Sequence, residues 1–156
     1  CWACPSGKVS MRGKTFVDPS EMLRALQDYC LQKEKMSLLV RQHPNAKIIS
    51  ETDLVCGVIC PEDIDVNTVC NFADIFVVET STIGLQAALL GKPVVTVDSW
   101  DYPPYAKLGL ANNIESLDEL AEAIECANKP NLQQLGCPPL GTATESVVTL
   151  IHSILD

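Results

Sequence analysis

The sequence predicts an α/β fold: a three-layer, mostly parallel sheet with helices on both faces. Three observations carry that expectation. A chain of 156 residues, 47% hydrophobic and 20% charged, falls in the single-domain range and is long enough to bury a substantial core. Short, wholly apolar runs alternate along it with amphipathic stretches. Those runs lack the polar face of a half-solvated strand, so they need cover on both sides, as parallel strands joined by crossover helices do.

The elements follow in order. A first strand is expected at the extreme N-terminus, before Ser6. Asp18-Pro19-Ser20 opens a helix with Met22, Leu23, Leu26, Tyr29 and Cys30 on one face. Ser37 to Arg41 reads as a buried strand, stopped by His43-Pro44-Asn45, and Leu54 to Ile59 is a second apolar run. A short helix is expected over Val66–Phe72, then a strand over Asp74–Val78, rich in β-branched and aromatic residues. Thr80-Ser81-Thr82 offers N-caps for a helix to about Leu90, with Gly91 as its stop. Pro93–Val97 is a further strand, with Pro tolerated at its first position. Ser116 to Glu119 has the spacing of a capping box, opening a helix with Leu120, Ala121, Ile124 and Ala127 on its apolar face. After a loop over 130–141, a final helix places Val147, Val148, Ile151, Ile154 and Leu155 at helical spacing.

Eleven Lys and Arg against twenty Asp and Glu give a formal charge of −9. That balance argues against a nucleic-acid surface or a general anionic-membrane surface, while leaving room for a local anion site. No apolar run approaches the roughly 20 residues of a membrane helix. Eight cysteines are many, yet a core this ample does not need a disulfide framework. Cys1-x-x-Cys4 has no second pair nearby to complete a zinc site, and Cys30, Cys56, Cys70 and Cys126 lie in apolar patterns as small hydrophobes. The reading is reduced cysteines, no metal and a cytoplasmic domain. Because the chain starts at Cys1 rather than Met, it is expected to be excised from a longer protein.

In a doubly wound sheet, ligands bind beyond the carboxyl ends of the strands. Two segments stand there. Thr80-Ser81-Thr82-Ile83-Gly84 runs from a strand into a helix and offers hydroxyls and unpaired N–H groups to a phosphate; it serves equally as an ordinary helix cap. Arg41-Gln42-His43-Pro44 ends the earlier strand, and His43 has the side chain suited to hold a phosphate or move a proton near neutral pH. A lone histidine is commonly structural, but the two segments share one edge of the sheet, which favours function. Ser6, Lys8 and Arg12 follow the first strand and are either a basic diphosphate loop or a solvated terminus. Trp100, Tyr102 and Tyr105 line the sugar side of such a cleft or pin their Pro-rich loop, and Asp98 stands beside them without an evident partner.

The pair of segments resembles the C-terminal, donor-binding domain of GT-B-fold enzymes of surface-carbohydrate synthesis. Capsule-polysaccharide and bacterial sialyltransferase-like proteins look most similar, with a His-Pro motif after one strand and a Ser/Thr turn before a helix. The stretch Thr80 to Val95 is the most specific segment. Non-hydrolysing UDP-N-acetylglucosamine 2-epimerases share the turn and helix, and CDP-glycerol glycerophosphotransferases share the histidine and hydroxyl pair. The resemblance spans nearly the whole chain, residues 1–156, as a single nucleotide-sugar-binding domain, a Rossmann-like half of a two-domain enzyme whose N-terminal acceptor domain is missing. It implies metal-independent transfer of a sugar from a nucleotide-sugar, a substrate rather than a cofactor, to a carbohydrate or glycolipid acceptor, with the full enzyme peripheral to the inner membrane face. His43 would be the catalytic residue on the donor phosphate, with Thr80, Ser81 and Thr82 on the same phosphate and Gly84 giving clearance. Gln86 would reach the ribose, although many relatives have Glu there. Ala87 and Ala88 replace the epimerases' Glu pair. A UDP-sugar 2-epimerase-like domain and a non-catalytic α/β nucleotide-binding module are the alternatives. The chain alone is expected to be inactive.

Overall fold

The computed structural model describes residues 1–5, 9–11, 14–79, 81–97, 104–136, 138–139 and 141–155. Ser6, Lys8, Arg12, Thr80, Asp98, Trp100 and Tyr102 therefore lie outside the described residues. In chain order the elements are β1 (Trp2–Ala3), β2 (Val9–Met11), β3 (Lys14–Val17), α1 (Pro19–Leu31), β4 (Leu39–Arg41), β5 (Val58–Ile59), α2 (Val66–Phe72) and β6 (Phe76–Val78). There follow α3 (Ile83–Leu89), β7 (Val94–Val97), β8 (Asn112–Ile114), α4 (Leu120–Glu125) and α5 (Ala143–Leu155).

Six strands form one sheet in the order β5-β4-β1-β6-β7-β8, and every pairing between neighbours is parallel. Counted along the chain, that is third, second, first, fourth, fifth, sixth: the Rossmann-like order. β2 and β3 form a separate antiparallel hairpin between β1 and α1, which the apolar pattern did not announce.

Both faces of the sheet are covered, as continuous apolar strands require. Trp2, Cys4, Val40, Val77 and Val95 pack with Met22, Leu23 and Leu26 of α1 and with Leu120 and Ile124 of α4. Ala3, Phe76, Val78 and Val94 pack with Val69 and Cys70 of α2 and with Ile83, Ala87 and Ala88 of α3. Alternate residues of one strand thus serve opposite layers, and the expected three-layer architecture is present.

Local differences from expectation have local causes. In the Leu54–Ile59 run only Val58 and Ile59 form a strand. The chain approaches β4 so closely at Gly57 (φ 90°) that a Cβ there would sit 2.3 Å from the Leu38 carbonyl oxygen. Ser116 does not close the predicted box: its Oγ accepts from the Asp118 N–H at 3.3 Å, and Glu119 accepts from the Glu115 N–H at 3.1 Å. A 3₁₀ turn over Leu117–Glu119 separates this cap from α4 and leaves Ala121 exposed. Cys126 is exposed as well, beyond the end of α4. The apolar face of α5 is not buried: Val147, Val148, Leu150, Ile151 and Ile154 are between 46% and 72% exposed. No helix among the described residues is long and apolar enough to cross a membrane.

Candidate functional site at the carboxyl edge of the sheet

The order of the strands reverses between β1 and β6, because the chain winds outward from β1 to β5 and then returns to lay β6 on the other side. A crevice opens at such a switch point, outside the carboxyl ends of the two central strands. Trp2 is level with Val40 of β4 and Val77 of β6, and Ala3 with Arg41 and Val78. One step further, Cys4 still donates its N–H to the Arg41 carbonyl at 2.9 Å. The segments after β4, β1 and β6 therefore leave the sheet together. With strands about 4.8 Å apart, His43 and Ser81 lie beside segments roughly 10 Å apart, with the end of β1 between them.

The backbone of its own turn fixes the His43 ring. His43-Pro44-Asn45-Ala46 is a tight turn closed by the Ala46 N–H on the His43 carbonyl at 3.0 Å, with Pro44 presetting its second position. The His43 Nδ1 accepts from the Asn45 N–H at 3.2 Å. A neutral ring then carries its hydrogen on Nε2. The side chain is exposed. Gln42 braces the turn from behind, giving its amide N–H to the Ile49 carbonyl at 2.7 Å and taking the Ile49 N–H at 2.9 Å. Arg41 is half-buried and donates to the Ile64 carbonyl at 2.8 Å, so its first task is to tie β4 to the segment before α2.

Across the crevice, Ser81 is half-buried. Its Oγ accepts from the Ile83 N–H at 3.4 Å, leaving its own O–H to give. Its carbonyl takes the Gly84 N–H at 3.2 Å and the Tyr105 O–H at 3.4 Å. Thr82 stands at the N-cap of α3, exposed and with no side-chain cap bond. Gln86 is exposed one turn on. Gly84 is buried: a Cβ there would meet Val78 Cγ2 at 2.8 Å and Tyr105 Cε2 at 3.2 Å. Its smallness lets α3 approach β6, so the clearance expected for a ligand is filled by protein. Tyr105 is the pin of its loop, with a buried ring and the hydroxyl on the Ser81 turn.

One residue that sequence reasoning passed over stands at the centre of this edge. Glu79 follows β6 directly and is only 2% exposed. By the two-residue period it shares the face of Val77, with Trp2 and Cys4 on the neighbouring strand. Burial pushes its carboxyl up to about 8, opposed by the nearby Trp2 indole N–H. The indole does not complete a hydrogen bond, however: Trp2 Nε1 and both Glu79 oxygens are buried without a partner. Burial, and next the Glu79 charge, push the Cys4 thiol up to about 12, so it stays protonated near neutral pH. The signal was legible: an acidic residue continues the run Ile75-Phe76-Val77-Val78 at a position whose period faces the core.

Elsewhere, a cavity of about 440 Å³ lined by Trp2, Leu26, Met36, Phe72 and Ile75 opens at the opposite, amino edge of the sheet, where parallel strands do not present ligand sites. No group of three or more His, Cys, Asp or Glu placed to hold a metal occurs among the described residues. In comparison with known proteins, the sequence matches no family model and no curated protein.

Proposed function

We propose that this chain binds the nucleotide-sugar donor of a metal-independent, GT-B type glycosyltransferase, a cytoplasmic enzyme that moves a sugar onto a surface polysaccharide or glycolipid acceptor. The observation that supports the reading is that His43 follows β4 and the Ser81 turn follows β6, the two strands that flank β1, on the same carboxyl edge of the sheet. Both supply donors and neither supplies a negative charge. The donor's diphosphate lies across the end of β1, with the His43 Nε2–H on one side and the Ser81 hydroxyl on the other. As the bond to the anomeric carbon breaks, negative charge grows on the leaving phosphate, and these donors stabilise it more in the transition state than in the ground state. Thr82 and Gln86 extend the polar edge toward the nucleoside. The general base for the acceptor comes from a separate acceptor-binding domain, so this chain binds donor without turning it over.

The 2-epimerase reading is weaker, because Ala87 and Ala88 are buried against the sheet face where that chemistry needs exposed carboxylates. Calorimetric titration with UDP-, CMP- and CDP-linked sugars tests the proposal. One of these donors is expected to bind, and His43→Ala and Ser81→Ala each to weaken it about tenfold, the value of one hydrogen bond to a charged group. Tight binding indifferent to both substitutions would overturn the site.

A further inference from the structure

We propose that Glu79 and the Trp2 indole form a subsite for a vicinal diol, the hydroxyl-bearing part of the ligand whose phosphates lie at the crevice edge. The inference rests on the nucleotide-sugar reading above and assigns that ligand's neutral, hydroxylated portion to a place in the fold.

Three hydrogen-bonding atoms, Trp2 Nε1, Glu79 Oε1 and Glu79 Oε2, are buried and unpartnered together. Trp2 is 0% and Glu79 2% exposed. An unmet buried polar group is costly, and such atoms are few in native proteins. Three together, where Glu79 follows β6 at the carboxyl edge of the sheet, mark a place to be completed by something else. Their chemistry selects it. The indole only donates, and the carboxyl, which burial keeps protonated near neutral pH, donates through its O–H and accepts at its carbonyl oxygen. One hydroxyl accepts from the indole and donates to the carbonyl oxygen of the carboxyl, and a neighbouring hydroxyl accepts from its O–H. A phosphate cannot do this, because its oxygens only accept and would leave the carboxyl's carbonyl oxygen unmet. Cys4, the titratable group beside Glu79, stays a neutral thiol.

The diol has two sources, the ribose of the nucleotide or the transferred sugar, and the ligand panel separates them. The 156-residue chain, ¹⁵N-labelled, has two indole resonances, from Trp2 and Trp100, assigned with Trp100→Phe. Each is followed during titration with pyrophosphate, a nucleoside monophosphate, its 2′-deoxy analogue and the complete nucleotide-sugar. The Trp2 indole proton is expected to move downfield with the diol-bearing ligand as it gains an acceptor, and to stay in place with pyrophosphate. A shift with the ribonucleotide that the deoxy analogue lacks assigns ribose; a shift only with the nucleotide-sugar assigns the sugar. Glu79→Met, which removes both oxygens and keeps the volume, is expected to hold or gain stability yet lose about tenfold in nucleotide-sugar affinity, with pyrophosphate affinity unchanged. Trp2→Phe provides a second variant with the same expectation for binding. If His43→Ala weakens binding while the Trp2 resonance and the Glu79→Met affinity do not change, the edge site stands and the diol subsite is overturned. If the unaltered chain binds none of the ligands, both readings fall together.

Discussion

Glu79 makes a prediction about stability that is independent of any ligand. Its carboxyl titrates near 4.5 in an exposed chain and at about 8 in the fold, because burial disfavours the charged form. The folded state therefore holds the proton more tightly than the unfolded state across that window. The stability from this group is fully present below pH 4.5 and is lost as pH rises toward 8, at up to about 1.4 kcal/mol per pH unit. Urea unfolding at pH 5, 6.5 and 8 measures the decline, and Glu79→Gln should flatten it. Parallel profiles for the two proteins would mean that the carboxyl is solvated in the fold. Gly84 makes a second prediction, steric rather than electrostatic. Gly84→Ala sets a methyl 2.8 Å from Val78 Cγ2 and 3.2 Å from Tyr105 Cε2, a crowding that costs about 1–3 kcal/mol. An unchanged urea midpoint would show that the Val78 rotamer gives way freely. Residue identity alone left His43 and the Ser81 turn open to structural uses, and it was their shared place after strands on one edge of the sheet that singled them out. It did not announce why Gly84 is glycine, because the crowding atoms come from β6 and from Tyr105, distant in sequence.

At the scale of elements, single polar side chains hold loops that have no core of their own. Gln27 is buried in α1, where it accepts from the Val55 and Cys56 N–H groups and donates to the Asp53 carbonyl at 3.3 Å. Gln27→Ala strands those groups and should cost about 1–3 kcal/mol. Amide exchange should quicken at Val55 and Cys56 while the centre of α1 keeps its protection; a uniform rise would point to global loss instead. Most elements were readable because each carries its own signal. Asp18 caps α1 by accepting from the Ser20 N–H at 3.0 Å, Asp65 caps α2, and Gly91 takes φ 73° after α3. β8 carried none, since Asn112-Asn113-Ile114 has little strand propensity. It is a strand because β7 pairs with it and the Thr96 hydroxyl bonds the Asn113 amide oxygen at 2.9 Å. The exposed face of α5 shows the converse, as helical spacing foretold the helix without saying what it packs on.

For the whole molecule, the proposed site depends on the strand order, so ligand binding should report on the fold. A donor that binds only the folded chain raises stability by about 2.7 kcal/mol at a hundredfold excess over its Kd. Thermal melts with and without nucleotide-sugar should separate accordingly, and the separation should shrink in His43→Ala. Equal shifts in the two proteins would place the ligand elsewhere.

The sequence by itself determined the α/β class, most of the helices and central strands, and the strand ends at which polar chemistry gathers. Those follow from periodicity and capping, which act over a few residues. Only the tertiary structure decided that β1 and β6 are neighbours with the switch point between them, that Gly84 is small for packing, and that Glu79 is sealed beside Trp2. Each of these depends on which distant segments meet, and burial of an acid at the end of a strand is a property of its neighbours.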